Sequence, residues 1–533
     1  MNWQWLLTTW YSKPGALTAA VATLGLFIVQ VIAKHRKERA RNPRRLPLPP
    51  GPKGLPLLGN LFQIPTVEPW AVYNEWAKVF GNVVYVNALG QDMVILNSLE
   101  DVDELLEKRA ANNSDRTRFV LFELMELDWI FAVMRYGPRW RAHRRAFHQQ
   151  VNLGQLPGFH PIIEEEMVIY LKRLLEKPEE FLEETKSVFG HIIIRISYGS
   201  TDPEYNKELL QISSEVAKRV SESITQGKYL VNVLPSLEYI PSWFPGAGWK
   251  RYMLAGAVPS RRLLTEPFDD AKARYKNRER GLGGSEPEYP SISRGLIEKL
   301  PAENDPNYLE EEGVAKAIAA IAYLGGSDTT VNSAQALVLA LGANPDVQRK
   351  AQQQLDRLID TTSRLPSIDD KNELPYIQAI IKELGWWYNV LPLATPHFSM
   401  EDAEYKGYFI PKGTMFLPNT WAIMHDPAVF SEPLEFRPER YLKDGNLDPS
   451  VLGPESAAFG YGRRICPGQN LSNDSLFEMA ACLLATFDIL PPSNADAKQL
   501  KLEVESELTA KVKPYQCQIV PRSRKHADLI RSL

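Results

Sequence analysis

The sequence predicts a mostly α-helical protein with a minor β component. Helical periodicity runs through most of the chain from Trp70 onward, whereas strand-like alternation is confined to three short runs, Val83–Val86, Met93–Leu96 and Tyr408–Ile410. No internal repeat of fixed period accompanies this pattern. With 533 residues, of which 44% are hydrophobic, the chain can bury a large core. We therefore expect one large, mainly helical domain.

Residues 1–45 are expected to form a membrane anchor with a basic flank. Ala16–Ala33 is almost entirely apolar and approaches the roughly 20 residues that a bilayer-crossing helix needs. Lysines and arginines are concentrated between Lys34 and Arg45, whereas Lys13 is the only one before the apolar stretch. The positive-inside rule then predicts a single-pass membrane protein with the following domain in the cytosol. A cleaved signal peptide is the alternative, and the position of the positive charge disfavours it.

Residues 46–56 are expected to form a proline-rich connector between this anchor and a catalytic domain at residues 57–533. Prolines fix φ and lack an N–H donor, so the run Leu46–Pro52 predicts a stiff, extended segment that holds the anchor away from the domain. Further along, Asn277–Ser293 is rich in glycine, proline, serine and charge. That composition is typical of a surface loop rather than of a domain boundary.

A long helix is predicted from Asp305, as its N-cap, to Gly342. Its length would be about 50 Å at 1.5 Å per residue. The adjacent glycines Gly325 and Gly326 each cost roughly 1 kcal/mol relative to alanine inside a helix. They indicate either the close approach of a flat ligand or the close packing of a second helix. Within the same segment, Thr329 can bind a helical carbonyl.

The charge and cysteine content exclude several classes of function. The net charge is only −4, which lacks the basic footprint of a nucleic-acid-binding protein, so no nucleic-acid partner is expected. The three cysteines, Cys466, Cys482 and Cys517, are too few to stabilise a secreted fold by disulfides. A reducing compartment therefore suits the bulk of the protein.

Cys466 lies in the most specific motif of the chain, Phe459–Gly468, which reads FGYGRRICPG. The three glycines of this segment permit a tight loop, and Arg464 supplies a cation two residues before the sulfur. A single cysteine held in this way suits a metal thiolate. Cys482 and Cys517 lack such a setting and are interpreted as small core residues.

This segment resembles the haem-binding loop of the cytochrome P-450 family. The family pattern Phe-x-x-Gly-x-Arg-x-Cys-x-Gly is matched by Phe459, Gly462, Arg464, Cys466 and Gly468. The resemblance extends from the proline connector to the C-terminus, and it implies the cytochrome P-450 fold. It also implies a haem b cofactor that is contacted by Phe459, Arg464 and Gly468 and whose iron is bound by the Cys466 thiolate.

Further family positions occur in the expected order. Trp140 and Arg144 lie one helical turn apart, and His397 follows a proline. The resemblance assigns these residues, together with Arg464, to the two haem propionates. Buried carboxylates need such cations and donors, because burying an unpaired charge is costly.

Gly325–Thr330 resembles the oxygen-activation segment of the same family. The resemblance makes Asp328 and Thr329 the catalytic residues, an acid followed by an alcohol that relay protons during oxygen reduction. Four predominantly apolar segments are expected to line the substrate pocket, Phe119–Met134, Ala320–Gly326, Leu391–Thr395 and Ser506–Thr509. A hydrophobic small-molecule substrate is therefore expected.

One family position is altered. The family pairs a Glu-x-x-Arg motif on a helix with a later arginine, and here Glu383 and Arg440 are expected to form this structural cluster while Trp386 replaces the first arginine. Removing one partner from a buried ionic cluster typically costs several kcal/mol. A tolerated variant, an inactive relative and an error in the gene sequence are the competing explanations, and the intact remainder of the site favours the first. Gly385 predicts a loosened site that would accept an arginine again.

The resemblance implies a membrane-bound monooxygenase that inserts one oxygen atom from O2 into its substrate. It is similar to fungal members of the O-methylsterigmatocystin oxidoreductase type, which act on secondary metabolites such as terpenoids, polyketides and indole alkaloids. Electrons are expected from a separate NADPH-cytochrome reductase, since the chain contains no flavin- or nicotinamide-binding fingerprint. One alternative is rearrangement of a peroxide, which the presence of Asp328 and Thr329 disfavours. The other is a catalytically impaired haem-binding paralogue, which Trp386 suggests.

Overall fold

The computed structural model describes residues 39–225, 228–232, 234–280, 289–492, 500–506 and 509–533. The predicted anchor helix at Ala16–Ala33 lies outside these residues. Among the helices of the described ranges, none combines the length and apolarity needed to cross a bilayer.

Helices form most of the described chain, as the sequence predicts. In chain order they are α1 (Pro69–Phe80), α2 (Leu99–Val102), α3 (Ala110–Asn113), α4 (Val120–Leu124), α5 (Pro138–Gln150), α6 (His160–Glu176), α7 (Phe181–Tyr198), α8 (Pro203–Ile224), α9 (Gly248–Ala255), α10 (Ala257–Glu279), α11 (Ile292–Ile297), α12 (Tyr308–Ala343), α13 (Pro345–Thr362), α14 (Pro375–Trp387), α15 (Thr420–Met424), α16 (Gln469–Thr486) and α17 (Arg524–Ser532). Most of them bury apolar side chains in one continuous core.

The strands are short and, in the described part of the chain, form one four-stranded sheet and four two-stranded sheets. They are β1 (Val83–Ala88), β2 (Gln91–Leu96), β3 (His397–Phe398), β4 (Ala403–Tyr405), β5 (Tyr408–Ile410), β6 (Met415–Pro418), β7 (Leu442–Lys443), β8 (Asn446–Leu447), β9 (Phe487–Leu490), β10 (Val504–Ser506), β11 (Ala510–Val512) and β12 (Gln518–Pro521). A four-stranded sheet has the order β1-β2-β6-β3, in which only the β2–β6 pair is parallel. The three strands predicted from sequence are confirmed as β1, β2 and β5.

The long helix α12 is the central element of the fold. It spans 36 residues and packs against α5, α7, α10 and α16. It begins at Tyr308, with Asn307 as its N-cap, two residues later than predicted, because the Asp305 carboxylate accepts the N–H of Asn307 in the preceding turn instead of capping the helix. The predicted end at Gly342 is within one residue of the observed end.

Residues 46–54 of the proline connector form no helix or strand, and their backbone is hydrogen-bonded to the domain. The carbonyls of Pro47 and Pro50 accept backbone N–H groups of β5 and β1 at 2.8 Å. Just before the connector, Arg41 forms a bidentate ion pair with Asp402, with Nε 2.8 Å from Oδ2. The chain is therefore fixed on the surface of the domain from Arg41 onward.

The predicted loop at Asn277–Ser293 is shorter than expected. The helix α10 continues to Glu279, and α11 already begins at Ile292. The charged residues of Asn277–Glu279 complete the last turn of α10, and residues 281–288 lie outside the described part of the chain.

Candidate active site

A cavity of about 380 Å³ lies between the middle of α12, the C-terminal half of α14, α5 and the loop before α16. Its walls are mostly apolar and include Phe131, Phe147, Ile193, Ile321, Leu384 and Leu391. Of the three cysteines, Cys466 alone lines this cavity, whereas Cys482 is buried within α16. Parts of three predicted pocket segments reach the cavity, and the fourth, Ser506–Thr509, is only partly described.

The loop that carries Cys466 is closed by its own backbone. The N–H of Cys466 donates to the carbonyl of Phe459 at 2.8 Å. Gly460 and Gly462 have φ angles of 81° and 58°, in the left-handed region that favours glycine. A Cβ at Gly462 would lie 2.2 Å from the carbonyl oxygen of Leu106. These positions therefore require glycine, as the sequence motif predicts.

The surroundings of Cys466 favour a thiolate only in part. Burial raises the pKa of the thiol, while the backbone N–H groups of Gly468 and Gln469 and the Arg144 cation act in the opposite direction. The helix α16 begins at Gln469, so its positive N-terminal end also lies near the sulfur. The Cys466 side chain lies deep in the protein but is accessible from the cavity, where a metal ion would complete the stabilisation of the thiolate.

Arg464 and Trp140 form one side of the cavity. The Arg464 guanidinium lies 4.3 Å from the Trp140 ring centroid and donates to the carbonyls of Ser114 at 2.8 Å and Met134 at 2.7 Å. Burial lowers the pKa of Arg464 to about 10. The indole N–H of Trp140 has no hydrogen-bond acceptor among the described residues, although its side chain lines the cavity. Arg464 and Trp140 thus both line the cavity, and each still has an N–H group without an acceptor among the described residues.

Two further arginines line the same cavity. Arg144 lies one turn after Trp140 on α5 and makes no hydrogen bond within the described chain. Arg116, which the sequence analysis missed, is 3% exposed and donates only to the carbonyls of Ala132 and Pro396. Burial lowers the pKa of both guanidinium groups. No carboxylate of the described residues forms a salt bridge with Arg116, Arg144 or Arg464, so the cavity carries excess positive charge.

His397 on β3 lies at the same end of the cavity. Its Nδ1 is 2.8 Å from the carbonyl oxygen of Asn113, so Nδ1 carries the proton and only Nε2 is available to a ligand. Burial lowers the pKa of this imidazole well below its usual value, with further contributions from Arg116 and Arg464. A carboxylate in the cavity would favour the imidazolium form, which alone can donate through Nε2.

Only one of the two predicted catalytic residues lies on the cavity wall that α12 forms. Thr329 lines the cavity, and its hydroxyl donates to the carbonyl of Gly325 at 2.8 Å. The Asp328 carboxylate does not line the cavity and lies 3.9 Å from the ammonium group of Lys511. The role predicted for Thr329 therefore has a direct structural basis, whereas Asp328 can act at the cavity only through intervening groups.

The sequence left two explanations for the glycine pair, approach of a ligand and packing of a helix, and each applies to one of the glycines. A Cβ at Gly325 would meet no atom within 4 Å, and this residue lines the cavity. A Cβ at Gly326 would lie 2.8 Å from side-chain carbons of Ile193 on α7. Gly325 therefore leaves room for a ligand, and Gly326 allows close packing of α12 on α7.

Comparison with known proteins agrees with this geometry. The cytochrome P450 family model matches residues 49–519. Cytochrome P450 monooxygenase COX1 of Coprinopsis cinerea is 50% identical over 515 residues, which cover 96% of this chain and 98% of the relative. Cytochrome P450 monooxygenase COX2 of the same fungus is 38% identical over 508 residues, covering 95% and 94%. Cytochrome P450 monooxygenase claR of Ampulloclitocybe clavipes is 33% identical over 528 residues, covering 98% and 94%.

The chain belongs to the cytochrome P450 family. Cytochromes P450 are oxygenases that bind haem through a cysteine ligand to iron. The residues present fit this cofactor, because the cavity joins one cysteine to three guanidinium groups that lack carboxylate partners. The two propionates of haem would supply the missing negative charge.

The altered cluster of this cytochrome P450 lies behind the cavity. Glu383 is 1% exposed, with Oε2 2.8 Å from Nε of Arg440 and Oε1 accepting the backbone N–H of Arg437 at 2.8 Å. The predicted pairing of Glu383 with Arg440 is thus present. Burial raises the pKa of Glu383 to about 7, in spite of the hydrogen bond from Arg437 and the charge of Arg440.

Trp386 is packed tightly, and the expectation of a loosened site is wrong. The indole is 1% exposed and lies edge-to-face against Phe430, with ring centroids 4.5 Å apart. A Cβ at Gly385 would lie 2.9 Å from Cβ of Pro454, so this glycine allows close contact with the chain that leads to the cysteine loop. An arginine at position 386 would have to enter a closed, tightly packed site.

Proposed function

We propose that this cytochrome P450 inserts one oxygen atom from O2 into a hydrophobic small molecule of fungal secondary metabolism. The observation that carries the proposal is that Cys466, the unpaired arginines and Thr329 share one largely apolar cavity. Terpenoids, polyketides and indole alkaloids are the substrate classes that suit such a pocket. The similar proteins from Coprinopsis cinerea and Ampulloclitocybe clavipes are named as monooxygenases, which agrees with this proposal.

Each residue of the cavity would have a defined task. Cys466 would bind the iron, and Trp140, Arg144 and Arg464 would bind the propionates by charge-assisted hydrogen bonds. When bound, haem supplies the oxygen-activating redox chemistry. The Thr329 hydroxyl would accept a proton from water and pass its own proton into the cavity, which is the work of a relay. The apolar walls would exclude bulk water and orient the substrate.

Labelled oxygen provides the test of this proposal. Membranes that contain the protein and an NADPH-cytochrome reductase would be incubated with extracts of a host lacking the gene, under isotopically labelled O2. We expect new products that carry one labelled oxygen atom, and none without NADPH. Products that carry unlabelled oxygen or only rearranged bonds would contradict a monooxygenase.

A second candidate function, haem binding without turnover, is supported by one observation, the replacement of the Glu-x-x-Arg arginine by Trp386. The same experiment separates the two candidates. A protein with a normal thiolate-type carbon monoxide spectrum that forms no product from any host extract would favour the impaired paralogue.

An NADPH-cytochrome reductase is the proposed electron donor, and a basic surface beside the cysteine loop supports this. The guanidinium groups of Arg141 and Arg463 lie 5.6 and 5.4 Å from the ring centroid of Tyr136. Arg139 and Arg145 are exposed on the same helix, α5. Such a surface attracts an acidic partner. Reduction of the haem should therefore slow as salt is raised in the wild type. In Arg141→Glu it should be slower at low salt and less sensitive to added salt.

Residence in the endoplasmic reticulum membrane, with a cytosolic domain, is also proposed. The apolar, asymmetrically flanked segment at Ala16–Ala33 supports a single anchor helix. An aromatic patch between α8 and α9 supports additional contact with lipid, since Tyr239 and Trp243 are 80% and 76% exposed and Phe244 is 48% exposed.

Deletion of residues 2–38 keeps Arg41, which is bound to the domain. It should release the protein from microsomes after a wash in high salt and leave its haem spectrum unchanged. Trp243→Ser in the truncated protein should weaken binding to lipid vesicles. A truncated protein that stays in the membrane, with or without Trp243, would contradict the proposed anchor.

A further inference from the structure

Phe430 lies between Trp386, which replaces the family arginine, and Arg440, the arginine that remains. Its ring meets the Trp386 indole edge-to-face at 4.5 Å and an interplanar angle of 82°. The Arg440 guanidinium carbon lies 5.0 Å from the same ring centroid. The ring of Tyr441 completes the group at 5.9 Å from Phe430. Trp386, Phe430 and Arg440 thus form a continuous stack of contacts.

The ion pair with Glu383 does not by itself orient Arg440. The two charged atoms are 2.8 Å apart, but the Nε–H bond of Arg440 does not point along this line, so no aligned hydrogen bond forms. The guanidinium instead donates to three backbone carbonyls between α15 and β7, those of Ser431, Glu432 and Glu435. These bonds and the Phe430 face fix its orientation.

The helix that carries Trp386 also shapes the haem cavity. Leu384 and Tyr388 of this segment line the cavity, whereas Glu383 and Trp386 belong to the buried cluster behind it. Lys382 forms an ion pair with Glu455 at 3.1 Å, in the segment that leads to the cysteine loop. A shift of α14 would therefore move the cavity wall and the cysteine loop together.

We propose that Trp386 and Phe430 form an aromatic support that replaces the missing arginine, holds Arg440 in place and thereby positions the cysteine loop. The proposal rests on the proposed haem-thiolate function. Trp386 is a positioning residue here, because it does not line the cavity. The alternative is that the indole only fills space. The two alternatives predict different effects of Phe430→Leu. Leucine preserves most of the volume but has no aromatic ring face, so this variant breaks the support without leaving a large cavity.

The experiment compares four variants of the full-length haem protein: Trp386→Phe, Trp386→Arg, Phe430→Leu and Phe268→Leu. Phe268 is fully buried in α10, outside this cluster, and serves as the matched control for loss of a core ring. Two quantities are measured at a temperature at which every variant is folded. They are the thiolate-ligated fraction in the carbon monoxide spectrum and the rate of haem transfer to excess apomyoglobin.

We expect Phe430→Leu and Trp386→Arg to accelerate haem transfer roughly 10-fold or more and to lower the thiolate-ligated fraction, as loss of supporting contacts around a metal ligand does. Trp386→Phe should stay within about 3-fold of the wild type, since the edge-to-face contact persists. Phe268→Leu should lower the melting temperature without changing either quantity.

Equal effects of Phe430→Leu and Phe268→Leu would overturn the proposal. A gain in haem retention by Trp386→Arg would do so as well, because it would show that the site still accepts the arginine of the family. A wild-type protein without a thiolate-type spectrum would instead refute the proposed function, so the two failures are distinguishable.

Discussion

Three arginines at one end of the cavity, Arg116, Arg144 and Arg464, have no carboxylate partner among the described residues, whereas Glu383 and Arg440 behind α14 pair with each other. The members of both groups are buried or half-buried, and burial of an unpaired charge is costly. The first group is therefore complete only when an anionic cofactor binds. The second is an ion pair within the chain, with aromatic rings in place of the third charged partner.

This contrast separates cofactor binding from support of the fold. Changes at the arginines should act mainly on haem affinity, because the ligand supplies the opposite charge. Changes around Glu383 should act on stability whether haem is retained or not, because both partners belong to the protein, and should act on haem only through the position of the cysteine loop.

The largest expected effect follows from removing one unpaired cation. Arg144→Leu should accelerate haem transfer to apomyoglobin by about 10–100-fold, since it removes a charge-assisted hydrogen bond to a propionate. Arg145→Leu, one residue further on the exposed face of α5, is the control and should leave the rate unchanged. Equal rates for the two variants would mean that Arg144 does not bind the cofactor.

A smaller effect is expected in the pH dependence of stability. Burial raises the pKa of Glu383 from 4.5 to about 7, so the folded protein holds a proton that the unfolded chain releases. This contribution is fully present below pH about 4.5 and is lost as the pH rises through about 7. The melting temperature of the wild type should therefore fall relative to Glu383→Gln between pH 5 and 8, on the order of 1–3 °C.

The control for that experiment is Glu455→Gln, which removes the exposed partner of Lys382 close to the same cluster. Its melting temperature should follow the wild type across the pH range. A difference between wild type and Glu383→Gln that does not change with pH would show that Glu383 is ionised throughout.

The smallest effect on haem binding is expected from Thr329→Ala. The side chain lines the cavity but contacts neither charged group, and its hydroxyl bonds to a carbonyl of its own helix. Haem transfer should stay within about 2-fold of the wild type, while the yield of product per NADPH falls and hydrogen peroxide rises, because the relay acts on protons and not on binding. Unchanged yield would leave Thr329 as a helix residue only.

The sequence predicts most of this site because its signals are local. The cysteine loop needs glycine at Gly460 and Gly462 for backbone reasons, and the one-turn spacing of Trp140 and Arg144 places both on one side of a helix. The short strands and the long helix follow equally from periodicity. These features depend on neighbours within a few residues.

The missed features depend on contacts between distant segments. Arg116 belongs to no sequence motif, and it reaches the cavity because the adjacent Asp115 pairs with Phe398 beside His397. Gly385 predicted looseness, but its role is set by Pro454, which is far along the chain. The N-terminal end of α12 was misplaced because Asp305 bonds within its own turn. A single sequence carries no signal for any of these contacts.

The carbon monoxide spectrum of three cysteine variants tests the central claim most directly. Only Cys466 lines the cavity, so Cys466→Ala should lose the thiolate-type spectrum completely, while Cys482→Ala and Cys517→Ala keep it. The spectrum reports the ligand itself and needs neither substrate nor reductase. A thiolate-type spectrum that persists in Cys466→Ala would contradict the account.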